Sequence, residues 1–378
     1  MTDFVFETTP KIVAESGGAK RLGAICAGLS MRRPLVVSDP GLVAAGMVAP
    51  VEASLRGAGL DPVLFTDVAA DPPEEVVEAA VAFARGAEID GVVGVGGGSS
   101  LDTAKLVALL VGRPQALPEI YGIGLAQGPR LPLVQVPTTA GTGSEVTPIS
   151  IVTTPTHEKK GVVSPLLLPD VALLDGTLTL GLPPRVTAMT GIDAMVHAIE
   201  AYTTRSKKNP LSDSLASAAL KLLYGNIRRV IADGSDAVAR AAMLEGSMLA
   251  GMAFANAPVG AVHALAYPIG GHFHVPHGLS NALVLAPVMA FNLPTCEPLY
   301  AELARAAIPG ATSGADLVRA MTELVAEMPM EQRLADVGIA ETDLDMLAVD
   351  AMKVQRLLVN NPREVTLDDA RALYAQAF

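Results

Sequence analysis

The chain of 378 residues has no tryptophan, only two cysteines and only 4% aromatic residues. Cys26 and Cys296 lie far apart in the sequence and form no Cys-x-x-Cys pair, which excludes a disulfide framework and a structural zinc site of the cysteine type. Two reduced thiols are the simplest interpretation, and they are typical of a cytoplasmic protein. Aliphatic side chains must fill the core, because aromatic rings are scarce.

Positive charge is also scarce, since 27 lysines and arginines stand against 39 aspartates and glutamates and leave a net charge of −12. An acidic surface repels phosphate backbones, so we expect no nucleic-acid partner. The N-terminus lacks the basic start and apolar stretch of a signal peptide. Residues 246–267 carry no charge when His263 is neutral, over a length that spans a bilayer. Asn256, Pro258 and several glycines interrupt this stretch, so we predict two buried helices with a break between them and no membrane partner.

Half of the residues are hydrophobic, and their arrangement changes along the chain. In the first half, apolar runs that predict strands alternate with amphipathic segments that predict helices. The strands are expected at residues 34–38, 62–66, 91–95 and 133–136, and the helices at 41–58, 73–86 and 101–110. This alternation is typical of βαβ units and of a mainly parallel sheet.

From Pro183 onward the strand pattern fades, and segments rich in alanine, leucine and methionine predict helices. These segments cover residues 188–202, 210–231, 237–255, 281–292, 298–307, 314–327 and 342–353. We therefore predict an α/β domain over residues 1–181 and an all-helical domain over residues 182–378. The two prolines at 183 and 184 mark the boundary.

A glycine cluster follows the third predicted strand, within the segment GVVGVGGGSSLDTAK at residues 91–105. Its three consecutive glycines allow a backbone to approach a ligand without a Cβ clash, and Ser99 or Ser100 is expected near the N-cap of the next helix. A helix N-terminus offers unpaired N–H groups and a positive dipole end, which suit a pyrophosphate. The spacing is neither G-x-G-x-x-G nor a P-loop, so a tight turn without a ligand is the alternative interpretation.

A second loop of small residues, PTTAGTGSE at 137–145, follows the fourth predicted strand. Its hydroxyl groups suit hydrogen bonds to a ribose, a phosphate or an amide, and ligands bind at the carboxyl ends of parallel strands. Asp39 follows the first predicted strand, where a carboxylate accepts hydrogen bonds from a ribose 2′-hydroxyl and repels a 2′-phosphate. Its alternative role is to cap the helix that begins near Pro40.

Asp193 and His197 are four residues apart in a predicted helix, so their side chains lie on one face and can bind one ion. His263 and His277 flank a turn expected at residues 268–276, and five of the six histidines fall in the helical half. One carboxylate and three imidazoles suit Fe(II), Zn(II), Co(II) or Ni(II), and residue types alone do not choose among these ions. The alternative is a chance Asp-x-x-x-His pattern with histidines in structural positions.

Taken together, these segments resemble the iron-containing (group III) alcohol dehydrogenase family. The matching stretches are GGGSSLDTAK (96–105), PTTAGTGSEVT (137–147), LPPRVTAMTGIDAMVHAIEAY (182–202) and GAVHALAYPIGGHFHVPHGLSNALVLAPVMAFN (260–292). Residues 4–22 are also similar to the family's first hairpin and glycine turn. The resemblance implies an NAD-binding α/β domain with a mainly parallel sheet, followed by an all-α metal-binding domain, which is the dehydroquinate synthase-like architecture.

The resemblance implies roles for the residues that match the family's motifs. The implied metal ligands are Asp193, His197, His263 and His277. In the family, these positions usually hold Fe(II) and in some members Zn(II). The implied residues of the pyrophosphate turn, the second loop and the nicotinamide side are Gly96, Gly97, Gly98, Ser99, Asp102, Thr138, Thr139, Thr142, Thr147 and Lys160. Asp71 lies where relatives carry an Asn-Pro or similar pair beside the adenosine, and Asp39 matches the residue that favours NAD over NADP.

One position departs from the family's pattern. Many relatives carry a second histidine four residues after the position of His263, and this histidine is implicated in proton transfer. Here that residue is Tyr267. Tyr267 is therefore the predicted catalytic residue, with His272, His274 or water as alternative proton routes.

The resemblance predicts an NAD-dependent, metal-dependent dehydrogenase that interconverts a small alcohol and its aldehyde or ketone. Relatives are commonly oligomers, so we expect a homo-oligomer, with a dimer favoured, and the two reduced thiols predict a cytoplasmic location. One alternative is a maleylacetate reductase-like oxoacid reductase, which arginines in the substrate pocket would favour. The others are a dehydroquinate synthase-like lyase and a non-catalytic metal- or nucleotide-binding protein.

Overall fold

The computed structural model describes residues 3–156 and 158–378. The chain divides into two compact units. The first, here called the sheet unit, comprises Glu7–Thr139 and Gly143–Leu180. The second, here called the helical unit, comprises Gly181–Phe378 together with Ala140–Thr142 and residues 3–6.

The sheet unit is built on a six-stranded parallel sheet with the strand order β1-β9-β6-β4-β2-β3. Its strands are β1 (Ile12–Ala14), β2 (Pro34–Val37), β3 (Val63–Phe65), β4 (Gly91–Gly96), β6 (Leu133–Pro137) and β9 (Val171–Leu174). A smaller sheet contains β5 (Gly122–Ile123), β7 (Ile149–Thr153) and β8 (Lys159–Val163), in which β7 and β8 are antiparallel. The predicted α/β class with a mainly parallel sheet is confirmed.

Both faces of the large sheet are covered by helices. These are α1 (Leu22–Gly28), α2 (Pro40–Ala44), α3 (Val48–Gly57), α4 (Glu74–Gly86) and α5 (Gly98–Leu110). Successive strand residues point to opposite faces, so Val92 packs in a core with α4 and α5 whereas Val93 packs in a second core with α1 and α3. Burial on both faces explains why these strands are continuous apolar runs.

Three expectations for the sheet unit need correction. The helix expected at residues 41–58 is two helices, because the chain turns at Gly46 with a φ of 72°. Helix α5 begins at Gly98 with Gly97 as its N-cap, so Ser99 and Ser100 lie inside its first turn. Residues 4–22 contain one strand, β1, which pairs in parallel with β9 and so forms no hairpin there.

The helical unit contains the remaining α-helices of the described chain. They are α6 (Pro184–Thr203), α7 (Pro210–Ala232), α8 (Ala237–Asn256), α9 (Ala261–Phe273), α10 (His277–Ala307), α11 (Gly314–Glu327), α12 (Leu344–Ala351), α13 (Gln355–Leu358) and α14 (Leu367–Ala377). Helix α6 is buried along most of its length and packs against α7, α8 and α10. The predicted all-helical second half is confirmed.

Two boundaries in the helical unit differ from the prediction. The turn expected at residues 268–276 is shorter, because α9 continues through Pro268 as far as Phe273. The two helices expected at residues 281–292 and 298–307 are the single helix α10, which accommodates three internal prolines. Proline lacks a backbone donor but is tolerated where neighbouring packing compensates, so the prolines mislead a prediction from sequence.

The uncharged stretch around residues 246–267 is broken as predicted, since α8 and α9 meet at an angle of 104°. By length and composition alone, α10 could cross a membrane, and α8 with α9 would do so only if the bent pair were one span. In α10, 61% of the most apolar window is buried inside the protein. Such burial is also typical of a core helix.

Candidate active site

Four side chains from three helices converge in the helical unit. Asp193 and His197 lie on α6, His263 lies on α9, and His277 is the first residue of α10. Their ligand atoms all lie within 4.8 Å of one another, and all but His277 are buried. The structure therefore brings together the four residues that the sequence analysis named as metal ligands.

Glu200 orients the imidazole of His263. Its Oε2 lies 2.6 Å from Nδ1 of His263, and its Oε1 accepts a hydrogen bond of 2.7 Å from the N–H of Val262. With Nδ1–H donated to the carboxylate, Nε2 of His263 presents its lone pair to the cluster. The sequence analysis missed Glu200, although its position three residues after His197 puts it on the same face of α6.

The other ligands are held by a carbonyl, a ring and an amide. Nδ1 of His197 lies 3.2 Å from the carbonyl oxygen of Gly141, and its ring stacks on Phe254 with 4.2 Å between centroids. The side-chain amide of Asn281 donates a hydrogen bond of 2.6 Å to Oδ1 of Asp193. It also lies 3.3 Å from Nε2 of both His263 and His277, so these nitrogens face the same point as the carboxylate.

The electrostatics of the cluster favour neutral imidazoles beside an ionised carboxylate. Burial lowers the pKa of His263 well below its ordinary value, and the charges of His197 and His277 lower it further. Burial also lowers the pKa of His197. Burial raises the pKa of Asp193, but the interactions with the three histidines and the hydrogen bond from Asn281 together hold this pKa below its ordinary value. Neutral imidazole and carboxylate are the forms that bind a metal ion, so the donor set fits a divalent cation.

Tyr267 lies one helical turn after His263 on α9 and beside His277, with 6.1 Å between ring centroids. Its hydroxyl accepts a hydrogen bond of 3.4 Å from Nη2 of Arg356, whose guanidinium is 5.6 Å from the tyrosine ring centre. The sequence analysis did not identify Arg356. It lies 89 residues after Tyr267 in the sequence, so no local pattern connects the two.

The two other histidines considered for proton transfer lie at the end of α9. His272 is exposed, and its Nε2 lies 2.6 Å from Oδ2 of Asp350. His274 follows the last residue of α9, with a φ of 53°. Of the three side chains considered, Tyr267 has a ring contact with one of the four converging residues, His277.

In the sheet unit, the glycine turn joins β4 to α5. Gly96 has a φ of 152°, and a Cβ there would lie only 2.7 Å from Cβ of Ser100, so the fold itself requires this glycine. A Cβ on Gly97 would meet its nearest atoms, in Thr139, at 3.5 Å, which is ordinary contact. The N–H of Thr138 donates to the carbonyl oxygen of Gly96, which fastens the second loop beside the first.

Asp39 lies at the carboxyl end of β2, the neighbour of β4 in the sheet. Its Oδ1 accepts a hydrogen bond of 3.0 Å from the N–H of Leu42, so Asp39 caps α2. Its Oδ2 lies 3.4 Å from Oγ of Ser100 in the first turn of α5. The capping role considered from the sequence is therefore present, and the same carboxylate stands beside the glycine turn.

Asp102 and Thr147 belong to a buried network between α5 and the second loop. Asp102 accepts hydrogen bonds from Oγ of Ser144 at 2.5 Å and from the N–H of Ile151 at 2.9 Å. Lys105, which is fully buried, contacts Asp102 at 3.4 Å and Thr147 at 3.3 Å. These side chains hold the loop in place. Thr142 lies in Ala140–Thr142, the segment that clusters with the helical unit.

Asp71 contacts the first turn of α5 and a lysine. Its N–H donates to Oγ of Ser99 at 3.2 Å, and its carboxylate pairs with Nζ of Lys159 at 2.5 Å. Lys160, the lysine named from the sequence, is more exposed and lies 3.6 Å from Glu158. The structure therefore places Lys159 beside Asp71, because alternate residues of β8 point to opposite sides.

A parallel α/β unit with a glycine turn, and a helical unit with an aspartate and three histidines, are typical of metal- and coenzyme-dependent dehydrogenases. Residues 9–176 match the profile of iron-containing alcohol dehydrogenases, and residues 187–378 match the C-terminal profile of the Fe-containing alcohol dehydrogenase family. The chain belongs to the iron-containing alcohol dehydrogenase family.

Individual relatives agree with this assignment. Long-chain-alcohol dehydrogenase 1 of Geobacillus thermodenitrificans is 43% identical over 95% of this chain and 91% of its own length. The crystal structure of a 1,3-propanediol oxidoreductase superposes with a TM-score of 0.95 at 34% identity and covers both chains fully. Sulfoacetaldehyde reductase from Bifidobacterium kashiwanohense in complex with NAD+ has a TM-score of 0.91 at 28% identity, covering 100% of this chain and 99% of that one. The chain is therefore an enzyme of the alcohol dehydrogenase type.

Proposed function

We propose that this enzyme interconverts a small alcohol and its aldehyde or ketone with NAD, at a metal held by Asp193, His197, His263 and His277. The observation that carries the proposal is the convergence of these four ligand atoms within 4.8 Å in a chain of this family. When bound, iron polarises the oxygen of the alcohol or carbonyl group, and NAD accepts or supplies the hydride. Zinc suits the same donors and is the alternative metal.

The chain's own residues prepare the metal site. Glu200 accepts the Nδ1–H of His263 and the carbonyl of Gly141 accepts that of His197, so the Nε2 atoms of both imidazoles carry the lone pair that a metal ion needs. Asn281 steadies the carboxylate of Asp193. Ligands that are oriented before the metal arrives lose little conformational entropy on binding.

The coenzyme side is proposed to comprise the glycine turn and the loops around it. We assign the diphosphate to the turn at residues 96–98, with Ser99 and the N–H groups that open α5. Gly97 supports this assignment. The fold without a ligand has room for a Cβ at this position, so packing does not require a glycine there, whereas close approach of a ligand would. The proposed surrounding contacts are Asp39, Asp71, Thr138, Thr139, Thr142 and Lys160, together with Lys159. Asp102 and Thr147 act by holding the second loop.

Tyr267 is proposed to exchange the proton with the substrate oxygen. Arg356 donates a hydrogen bond to its hydroxyl oxygen, so the hydroxyl's own proton stays available to another acceptor. This arrangement suits general acid–base catalysis in both directions of the reaction.

We further propose that the enzyme is a cytoplasmic homodimer. Both cysteines, Cys26 and Cys296, are buried free thiols, which agrees with a reducing compartment. Light scattering of the purified protein measures the mass in solution, and a monomeric mass would contradict the dimer.

The proposed reaction is tested by stripping the purified protein of metal, adding back Fe(II) or Zn(II), and following NADH absorbance with small primary alcohols and aldehydes. We expect turnover that depends on the added metal. Turnover of the same size in metal-free protein would refute the mechanism.

The role of Asp39 is tested in the same assay. Asp39→Ser retains a capping oxygen but removes the charge, so it should shift the ratio of kcat/KM values for NAD and NADP about tenfold toward NADP. The stability of Asp39→Ser should stay close to that of the wild type.

A further inference from the structure

Arg356 lies near the four proposed metal ligands, here called the metal cluster. It is a cation without an acidic partner among the described residues. It is exposed on the short helix α13, and in the described part of the chain its guanidinium forms no ion pair with a carboxylate. Its hydrogen bond goes to the hydroxyl of Tyr267 at 3.4 Å. A guanidinium has five N–H donors, so most of its donors remain available.

The surrounding charges do not neutralise Arg356. Asp350, six residues earlier, is engaged by Lys353 at 2.5 Å and by His272 at 2.6 Å. By contrast, Arg371 on α14 is held between Asp345 and Asp368. Among the described residues, no carboxylate therefore neutralises the charge of Arg356, which lies beside Tyr267.

Two contacts lead from the metal cluster to this cation. The ring of Tyr267 lies 6.1 Å from that of His277, and the guanidinium of Arg356 lies 5.6 Å from the Tyr267 ring. The tyrosine therefore positions the guanidinium by a cation–π contact as well as by its hydroxyl.

We propose that Arg356 binds an anionic group of the substrate, so that the preferred substrates are short alcohols and aldehydes carrying a carboxylate or a similar oxyanion at the far end. A planar guanidinium matches such an oxyanion with two parallel N–H···O bonds. The acidic protein otherwise repels anions, so one local cation is needed to hold the substrate. The inference rests on the proposed function, because it assigns the reacting oxygen of the substrate to the metal cluster.

The test compares three alcohols that differ only in the group at the far end: 3-hydroxypropionate, 1-propanol and 3-aminopropan-1-ol. We expect the iron-loaded wild type to have its highest kcat/KM with 3-hydroxypropionate and its lowest with 3-aminopropan-1-ol. In Arg356→Gln, the ratio of kcat/KM for 3-hydroxypropionate to that for 1-propanol should fall about 10- to 100-fold. Arg356→Lys should recover part of this ratio, because it restores the charge without the fork.

The control is Arg319→Gln, which removes the same charge from the exposed face of α11, where Arg319 pairs with Asp316. It should leave the ratio as in the wild type. A wild type that prefers 1-propanol, or an Arg356→Gln variant whose ratio does not change, overturns the proposal.

A second measurement does not depend on turnover. Calorimetry of 3-hydroxypropionate binding to iron-loaded protein without NAD should give a dissociation constant that rises about 10- to 100-fold in Arg356→Gln. Equal binding to both proteins contradicts the anion site even if the enzyme oxidises alcohols. Loss of turnover with all three alcohols, while Arg356 still governs binding, would count against the proposed reaction and not against this site.

Discussion

The two units of this chain build their proposed sites from different materials. In the helical unit, the proposed site consists of side chains with defined donor atoms. For example, Glu200 accepts the Nδ1–H of His263, so Nε2 is the nitrogen that faces the cluster. In the sheet unit, the site consists largely of backbone at residues 96–98, where the absence of a side chain is the useful property. A metal ion needs donor atoms at fixed distances, whereas a diphosphate needs N–H groups and room to approach.

The residues that support the two proposed sites also act in different ways. Around the metal cluster, Glu200 and Asn281 contact the ligands directly, so a change in them should reach the metal. Around the glycine turn, Asp102 and Lys105 hold the shape of a loop, so a change in them should reach the coenzyme only through the backbone. Substitutions in each unit test whether the contrast holds.

The largest effect is expected for His263→Ala. Removal of one of three imidazoles leaves an incomplete donor set, so both tightly bound metal and NAD-linked turnover should be lost. Elemental analysis and the NADH assay measure these two quantities. His272→Ala is the matched control, because His272 lies on the same helix but pairs with Asp350 at the surface. A His263→Ala protein that keeps its metal would break the contrast between the two units.

Glu200→Ala should have the next largest effect. Loss of the carboxylate frees the ring of His263 to turn, and loss of such a partner typically costs about 10- to 100-fold in metal affinity or activity. Glu200→Gln retains an acceptor and should recover part of the affinity. Competition with a chelator measures the affinity, and Glu323→Ala on the exposed face of α11 is the control. If Glu200→Ala binds metal as tightly as the wild type, Glu200 has only a packing role.

In the sheet unit, Gly97→Ala should weaken NAD binding about tenfold or more, because the added methyl group occupies the space assigned to the diphosphate. Its free energy of unfolding should stay within about 1 kcal/mol of the wild type, since the nearest atoms to the new Cβ lie at 3.5 Å. Gly96→Ala is the contrasting variant, with a strained φ and a 2.7 Å clash, and should cost about 1–3 kcal/mol of stability. Calorimetry of NAD binding and thermal unfolding separate the two effects. Unchanged NAD affinity in Gly97→Ala would remove the diphosphate from this turn.

The smallest effect concerns the pH dependence of stability. Burial raises the pKa of Glu145 to about 7, and its Oε1 has no hydrogen-bond partner among the described groups. Between about pH 4.5 and 7 the folded chain therefore holds a proton that the unfolded chain has lost, so the free energy of unfolding falls as pH rises. The contribution is at most about 3 kcal/mol.

Glu145→Gln should flatten this slope in denaturant unfolding measured at several pH values. Glu78→Gln, on the exposed side of α4, should leave the slope as it is. An equally steep slope in Glu145→Gln would mean that other groups cause the pH dependence.

Much of this architecture could be predicted from the sequence, because local patterns carry it. Apolar runs between glycine and proline residues predicted four strands of the parallel sheet, and helical periodicity predicted most of the second half. The i, i+4 pair of Asp193 and His197 needed only helix geometry. The patterns failed where packing overrides local preference, as in α10, whose prolines predicted a break that the buried helix does not have. They also missed the short strands β1, β5 and β7 to β9. Strands β1, β5 and β9 pair with strands that are distant in the sequence, whereas β7 and β8 are antiparallel to each other and close in the sequence.

The sequence by itself determined the class of fold and the glycine turn, which depend on residue type and periodicity, and the i, i+4 spacing of Asp193 and His197 along α6. The other two proposed ligands, His263 and His277, lie on different helices and followed from the resemblance to the family. Only the tertiary structure decided which groups surround them. Glu200 beside His263, Lys159 beside Asp71 and Arg356 beside Tyr267 are pairs joined by folding across 63, 88 and 89 residues. Such contacts depend on how helices and strands pack against one another. The periodicity within one helix or strand does not predict which element will lie next to it.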